Sequence, residues 1–216
     1  MPLLEIAVFS EYAAMLAASS GAHRLELCND YSTGGVSMPA DTLRRLRTLL
    51  PLPCFVMVRP RPGDFVYTES EIRTMETYIK EVRDLRYEGF VFGCLTPKGE
   101  TDTDATARLI QAAGGLQCTF HRAFDECPDP GTALEVLKDL GIARILTARS
   151  ADWLRLRDHS GGKPLILPGG GLRSNNMKPW VEAGFPEFHS SAILSPAAPD
   201  FLPDSDEIRR MLALCV

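Results

Sequence analysis

The chain has no CxxC pair, no basic cluster beyond one arginine-rich turn, and no apolar run near the ~20 residues that a bilayer-spanning helix needs. Without paired cysteines the zinc signatures are excluded. The six cysteines, at 28, 54, 94, 118, 127 and 215, read as free thiols of a reducing compartment. Cys54, Cys94 and Cys118 lie in or beside apolar stretches and are expected in the core, whereas Cys127 and Cys215 read as incidental. A net charge of −5 argues against a nucleic-acid or membrane-surface partner. The one basic stretch, Arg44-Arg45-Leu46-Arg47, has helical spacing around Leu43, Leu46 and Leu50 and reads as a solvated helix face. The opening MPLLEIAVFSEY has no basic n-region and meets Glu5 early, so a signal peptide is not expected and a cytosolic location is.

What the chain does have is a repeated unit, a short apolar strand followed by a helical pattern, about every 25–30 residues. Strands are expected at Leu4–Val8, Arg24–Cys28, Cys54–Arg59, Gly89–Gly93, Leu116–His121, Ala143–Thr147, Pro164–Pro168 and Glu187–Ser190. Helical patterns cover Glu11–Ser20, Ala40–Leu50, Glu69–Arg86, Asp104–Ala113, Gly131–Leu140, Ser174–Ala183 and Asp206–Leu214. The sixth unit is the weakest, with only Ala151–His159 available for its helix. No linker or composition break divides residues 1–216, so one domain is expected. Eight such units predict a single-domain α/β fold, a compact (β/α)8 TIM barrel. A doubly wound open sheet is the alternative, but Phe9-Ser10-Glu11 stands where its first-turn glycine fingerprint belongs.

Function concentrates where apolar strands run into polar residues. TFHRAFD (119–125) delivers His121, Arg122 and Asp125; PCFVMVRPRPGD (53–64) delivers Arg59, Arg61 and Asp64; RLELCND (24–30) and EFHSS (187–191) do the same with Cys28 and His189. Strand C-terminal ends are where parallel α/β barrels build their sites. Alternation puts Glu5 with Ala7, Glu26 with Cys28, and Phe55 with Met57 and Arg59 on shared faces. If those faces point inward, Glu5 and Glu26 need cationic partners, and Arg59 is the nearest candidate. Arg59 and Arg61 offer planar forks for a carboxylate or phosphate, with Asp64 bracing one of them. His121 is the expected acid/base group, and His121, Arg59 and Asp64 are the candidates for catalysis. The run Gly169-Gly170-Gly171, with Ser174 as a helix N-cap and Ser190 and Ser191 after the last strand, fits the phosphate-holding position of barrels. Cys28 is the one cysteine at a polar strand end.

Together these segments resemble the CutC family of copper homeostasis proteins, over nearly the whole chain from LEIAV (4–8) to EFHSS. The carriers are RLELCND with Gly34-Gly35, FVMVRPRPGDFVYT (55–68), GFVFGCLTPKGE (89–100), TFHRAFD, RILT (144–147) and PGGG followed by EFH. The resemblance implies a cytosolic, oligomeric (β/α)8 barrel linked to copper(I), with Cys28 as a thiolate ligand. The chain departs from the family pattern at Ala7, where a second thiol is expected, at Ala148-Arg149-Ser150 in place of a glycine-rich turn, and at Ile193 in place of an arginine. Two functions follow as expectations. One is a copper(I)-binding homeostasis protein, the other an enzyme or binding protein for a small anionic or phosphorylated metabolite. In either case the partner is a small molecule or metal, met by a homo-oligomer.

Overall fold

In a computed structural model, which describes residues 1–195 and 200–216, the chain folds as alternating strands and helices. The strands are β1 (Leu3–Val8), β2 (Arg24–Leu27), β3 (Cys54–Met57), β4 (Gly89–Phe92), β5 (Gln117–Phe120), β6 (Arg144–Thr147), β7 (Leu165–Pro168) and β8 (Glu187–Ser190). The helices are α1 (Glu11–Ser19), α2 (Ala40–Leu49), α3 (Glu69–Arg83), α4 (Thr103–Ala113), α5 (Pro130–Asp139), α6 (Trp153–Ser160), α7 (Lys178–Glu182) and α8 (Ser205–Ala213). All strands are parallel, in the order β7-β6-β5-β4-β3-β2-β1-β8, and β8 packs against β7 to bring the sheet round to a nearly closed TIM barrel.

Local chemistry explains most helix starts. Ser10, Asp102, Asp129 and Asp204 each accept a backbone N–H of the first turn of α1, α4, α5 and α8, and Thr68 with Glu71 forms a reciprocal capping box on α3. The outward strand residues, such as Leu4, Ile6, Val8, Leu25, Leu27, Val56 and Phe90, are buried under the helices in one continuous core. The weak sixth unit does form a helix, because Trp153 is buried and its indole N–H donates to Thr147 O at 3.0 Å. The seventh is shorter than its pattern. Ser174 does not cap α7, since its N–H and hydroxyl both donate to the Glu207 carboxylate of α8, at 2.6 and 2.9 Å.

The cysteine reading is corrected, and the arginine reading is borne out. Cys127 and Cys215 are buried like the other four, and all six are unpaired. Arg44 and Arg45 pair with Asp41, Glu81 and Glu11 on the surface, as a solvated face should.

The inside of the barrel is charged at its N-terminal end. Arg24 donates to Glu5 on β1 and Glu187 on β8, both at 2.5 Å, and Arg144 donates to Glu187 at 2.8 Å and Gln117 at 2.6 Å. Phe55 lies between the two guanidinium groups, 5.1 Å from that of Arg24 and 4.8 Å from that of Arg144. Gly89 makes room for it, because a Cβ there would stand 2.3 Å from the Phe55 ring. Alternation makes this layer intelligible: Arg24, Phe55, Gln117, Arg144 and Glu187 all point inward from their strands.

Removing one member of a buried network leaves the others charged and unpaired, which costs about 3–5 kcal/mol. Arg24→Met is expected to lose that much stability in urea denaturation, whereas the exposed Arg45→Ala should lose less than about 1 kcal/mol. Equal stability of Arg24→Met and wild type would contradict the network's role.

Candidate functional site

The strands end around a cavity of about 680 Å³ at the C-terminal mouth. Glu26 of β2, Met57 and Arg59 at the end of β3, His121 after β5, Gly170 and Gly171 after β7, and His189 and Ser190 of β8 all line it. Arg122, Asp125 and Arg173 join them from the loops.

Glu5 links the barrel floor to this mouth. One carboxylate oxygen accepts from Arg24, and the other meets His189 Nδ1 at 2.7 Å. Burial alone would raise the Glu5 pKa, but Arg24 and His189 outweigh it and hold the carboxyl down to about 2. His189 shows the mirror image. Burial would lower its pKa, and Glu26 together with Glu5 outweighs burial and raises it above 6.5, which favours the imidazolium. Glu26 behaves differently, because burial and the nearby Glu5 raise its pKa above 4.5. Its Oε1 accepts the Cys28 thiol at 3.3 Å and its Oε2 has no partner.

His121, the expected acid/base group, is held in one tautomer. Its Nδ1 accepts the Ala123 N–H at 3.1 Å, which puts its hydrogen on Nε2. Burial, with Arg59 and Arg122 nearby, pushes its pKa down to about 3, so the ring stays neutral. Gly93 is what lets the ring in, since a Cβ there would lie 2.5 Å from Nδ1. The neutral Nε2–H has no acceptor among the described residues.

The expected pairing of Arg59 with Glu5 and Glu26 is also overturned. Arg59 donates to three backbone carbonyls, Thr33 and Gly35 at 3.0 Å and Gly63 at 2.7 Å, and its guanidinium sits 4.9 Å from the Phe65 ring. Arg59 therefore ties the β2 and β3 loops together at the rim. Arg61 and Asp64 do not line the cavity; Asp64 does brace Arg61, at 3.0 Å, while Glu71 takes the Arg61 Nε at 2.5 Å. The terminal nitrogens of Arg59 and Arg61, expected to clamp an anion, are thus committed to the chain itself, and Arg59 keeps only its Nε unpartnered.

The glycine run divides in function. Gly169 packs against Leu146 and does not line the cavity, with its N–H donating to Thr147 O at 3.0 Å. Gly170 and Gly171 adopt φ of +73° and +101° and do line it, and their N–H groups have no acceptor among the described residues. Ser190 accepts from Arg173 at 3.0 Å, and Arg173 also donates to Ser191 and to Ile193 O. Arg122 gives only its Nε, at 2.9 Å, to Asp125, whose other oxygen accepts from Thr147 at 2.6 Å. The two terminal nitrogens of Arg122 are uncommitted among the described residues.

Arg24, Glu187, Arg144 and Arg173 escaped the sequence reading. The first three had a detectable signal, since each stands two positions before an inward residue, Glu26, His189 and Leu146. Arg173 had none, because a loop arginine is ordinary in sequence.

These shifts fix a pH response. Glu5 stabilises the fold above 4.5 and loses that contribution as pH falls towards about 2. His189 stabilises it below 6.5 and loses that contribution as pH rises through its raised folded value. Glu26 withdraws stability as pH rises from 4.5 through its own raised value. Histidine side-chain NMR is expected to show His189 titrating above 6.5 and His121 as the neutral Nε2–H tautomer throughout the neutral range. Glu5→Gln should bring the His189 midpoint down; an unmoved midpoint would reject the pairing as its cause.

The comparisons agree with this architecture. The model of the CutC family matches residues 2–194. A CutC family protein of Salmonella paratyphi B is 40% identical over 205 residues, covering 91% of this chain and 83% of the relative. The crystal structure of a Streptococcus agalactiae protein bearing the name copper homeostasis protein CutC superposes with a TM-score of 0.84 at 28% identity, covering 88% of this chain and 99% of that one. Phosphoribosylanthranilate isomerase of Thermotoga maritima shares the barrel alone, with a TM-score of 0.63 at 16% identity over 100% of this chain and 98% of its own. The chain belongs to the CutC family.

Proposed function

We propose that the barrel mouth binds a small anionic metabolite and carries out proton transfer on it, with Glu26 and His189 as the proton-carrying pair. The observation that carries this reading is the unpartnered Oε2 of buried Glu26 on the wall of a cavity that also offers uncommitted anion donors. Those donors are the Gly170 and Gly171 N–H groups and the terminal nitrogens of Arg122. Backbone N–H groups at positive-φ glycines and an arginine fork suit a phosphate or carboxylate. A carboxyl and a histidine side by side, both with raised pKa values, suit general acid–base work.

The family name raises copper(I), and the residues present do not suit it. Copper(I) prefers two or more soft ligands. Here Ala7 supplies no thiol, and burial with the neighbouring Glu26 pushes the Cys28 thiol well above 9. Cys28 shares its apolar surroundings with Met57, Phe55 and Val91, which leaves one thioether as its soft companion. Among the described residues, Glu5, Glu26 and His189 alone bring three donor atoms within 4.8 Å of one another, and these are oxygen and nitrogen donors. Both Glu5 oxygens and the His189 Nδ1 are already hydrogen-bonded. Six unpaired, buried thiols favour a reducing, cytosolic setting, and no described helix is long and apolar enough to cross a membrane.

Calorimetric titration with phosphorylated and carboxylated three- to six-carbon compounds is expected to find a ligand whose affinity falls about tenfold or more in Arg122→Ala, the loss expected for a charge-assisted hydrogen bond. Unchanged affinity in that variant would remove Arg122 from the site. An anaerobic copper(I) competition against a strong chelator should show no tight stoichiometric binding. Stoichiometric binding that disappears in Cys28→Ser would overturn the proposal.

A further inference from the structure

Besides Arg59 Nε, the cavity wall presents two buried polar groups of opposite hydrogen-bonding sense that the chain leaves unanswered. Glu26 is 3% exposed, with Oε2 unpartnered; His121 is 4% exposed, with Nε2 unpartnered. Their other ends are fixed. Glu26 Oε1 holds the Cys28 thiol, and the Nδ1 edge of His121 is turned to Ala123 and Gly93. A buried polar group without a partner is unfavourable, so a fold that keeps two of them on one cavity is matched to something bound there. Because Nδ1 accepts, Nε2 can only donate. The ligand must therefore offer an acceptor oxygen to His121. To Glu26 it must offer a hydrogen.

Chemistry narrows this further. A neutral imidazole N–H is a suitable partner for a carbonyl oxygen that gains negative charge, because it stabilises that charge without first ionising the carbonyl. A carboxylate with one bare oxygen is suited to taking a proton from carbon. Building on the proton-transfer reading above, we infer that the ligand is an anionic hydroxycarbonyl compound, enolised between Glu26 and His121. Glu26 Oε2 takes the hydrogen from the hydroxyl-bearing carbon beside the carbonyl. The C–H electron pair becomes the C=C bond of the enediolate, and the carbonyl π pair moves onto the oxygen held by His121 Nε2–H. Return of the proton from Glu26 to the neighbouring carbon, with transfer of the hydroxyl hydrogen between the two oxygens, moves the carbonyl by one position. Return to the original carbon restores the starting compound, with exchange of its hydrogen when Glu26 has exchanged its own with solvent. Neither course needs an oxidant, a reductant or a second substrate. His189, whose pKa Glu26 and Glu5 raise, has a ring nitrogen within 4.8 Å of the Glu26 carboxylate and favours its ionised form. The anionic end of the ligand falls to Gly170, Gly171 and Arg122.

The test is deuterium exchange in D₂O, followed by proton NMR, with dihydroxyacetone phosphate, ribose 5-phosphate and fructose 6-phosphate as probes and glycerol 3-phosphate as the carbonyl-free control. Binding of each probe is read in parallel by calorimetry. Wild type is expected to bind at least one probe and to exchange the hydrogen next to its carbonyl. Glu26→Gln, which preserves shape, should slow exchange at least a hundredfold while still binding, and His121→Phe should slow it at least tenfold; thermal melting confirms that both fold. Binding without exchange above the protein-free rate overturns the enolisation and leaves the anion-binding reading standing. Failure of every probe to bind overturns both. Exchange that persists in Glu26→Gln overturns the assignment of the base.

Discussion

Everything at the mouth of this barrel depends on one buried carboxylate, that of Glu5. It is shared between Arg24 below and His189 above, so one oxygen serves the barrel floor and the other serves the site. The floor is itself cross-braced by Arg24, Glu187 and Arg144 around the Phe55 ring. A charge at that depth is tolerable only with complete pairing, and the pairing holds the Glu5 pKa down to about 2. An ionised Glu5 helps Glu26 to raise the pKa of His189, and the same negative charge helps to raise the pKa of Glu26. The protonation of the site is thus tuned in part from beneath, by a carboxylate that does not line the cavity itself.

The cations divide by what they are already doing. Arg59 looks like an anion binder in sequence and Arg173 lines the cavity, yet their terminal nitrogens are taken by backbone carbonyls and serine hydroxyls of the surrounding loops. They hold the rim in shape and add positive potential. Arg122 is the exception, anchored by its Nε to Asp125 with its terminal nitrogens uncommitted. This division explains why counting arginines near a strand end overstates the number available to a ligand. The same holds for the carboxylates, where Asp125 orients Arg122 and Glu26 is the buried one that keeps a bare oxygen.

Much of the fold was legible. Eight apolar strand segments followed by helical patterns were sufficient for the barrel, and strand C-terminal ends correctly located the cavity. Strand ends erred by a residue or two where a polar side chain such as Arg59 or His121 continued the alternation after the ladder had stopped. Ser174 misled because an N-cap serine and a serine bound to a distant carboxylate look the same in sequence, and Glu207 lies 33 residues further on. The His121 tautomer was not legible at all, since it depends on a single backbone N–H two residues away. Arg59 was misassigned for a similar reason: its partners are carbonyls, which every residue has. The floor network could have been read, because Arg24 and Glu187 share the alternation of Glu26 and His189, which marked the site.

The most direct test of this account is a crystal structure grown in phosphate and soaked anaerobically with copper(I), with anomalous diffraction collected at the copper edge. The account predicts phosphate density against the Gly170 and Gly171 N–H groups and the Arg122 fork, with no anomalous peak at Cys28. A copper peak on the Cys28 sulfur, with the glycine loop empty, would contradict it and return the chain to the chemistry its family is named for.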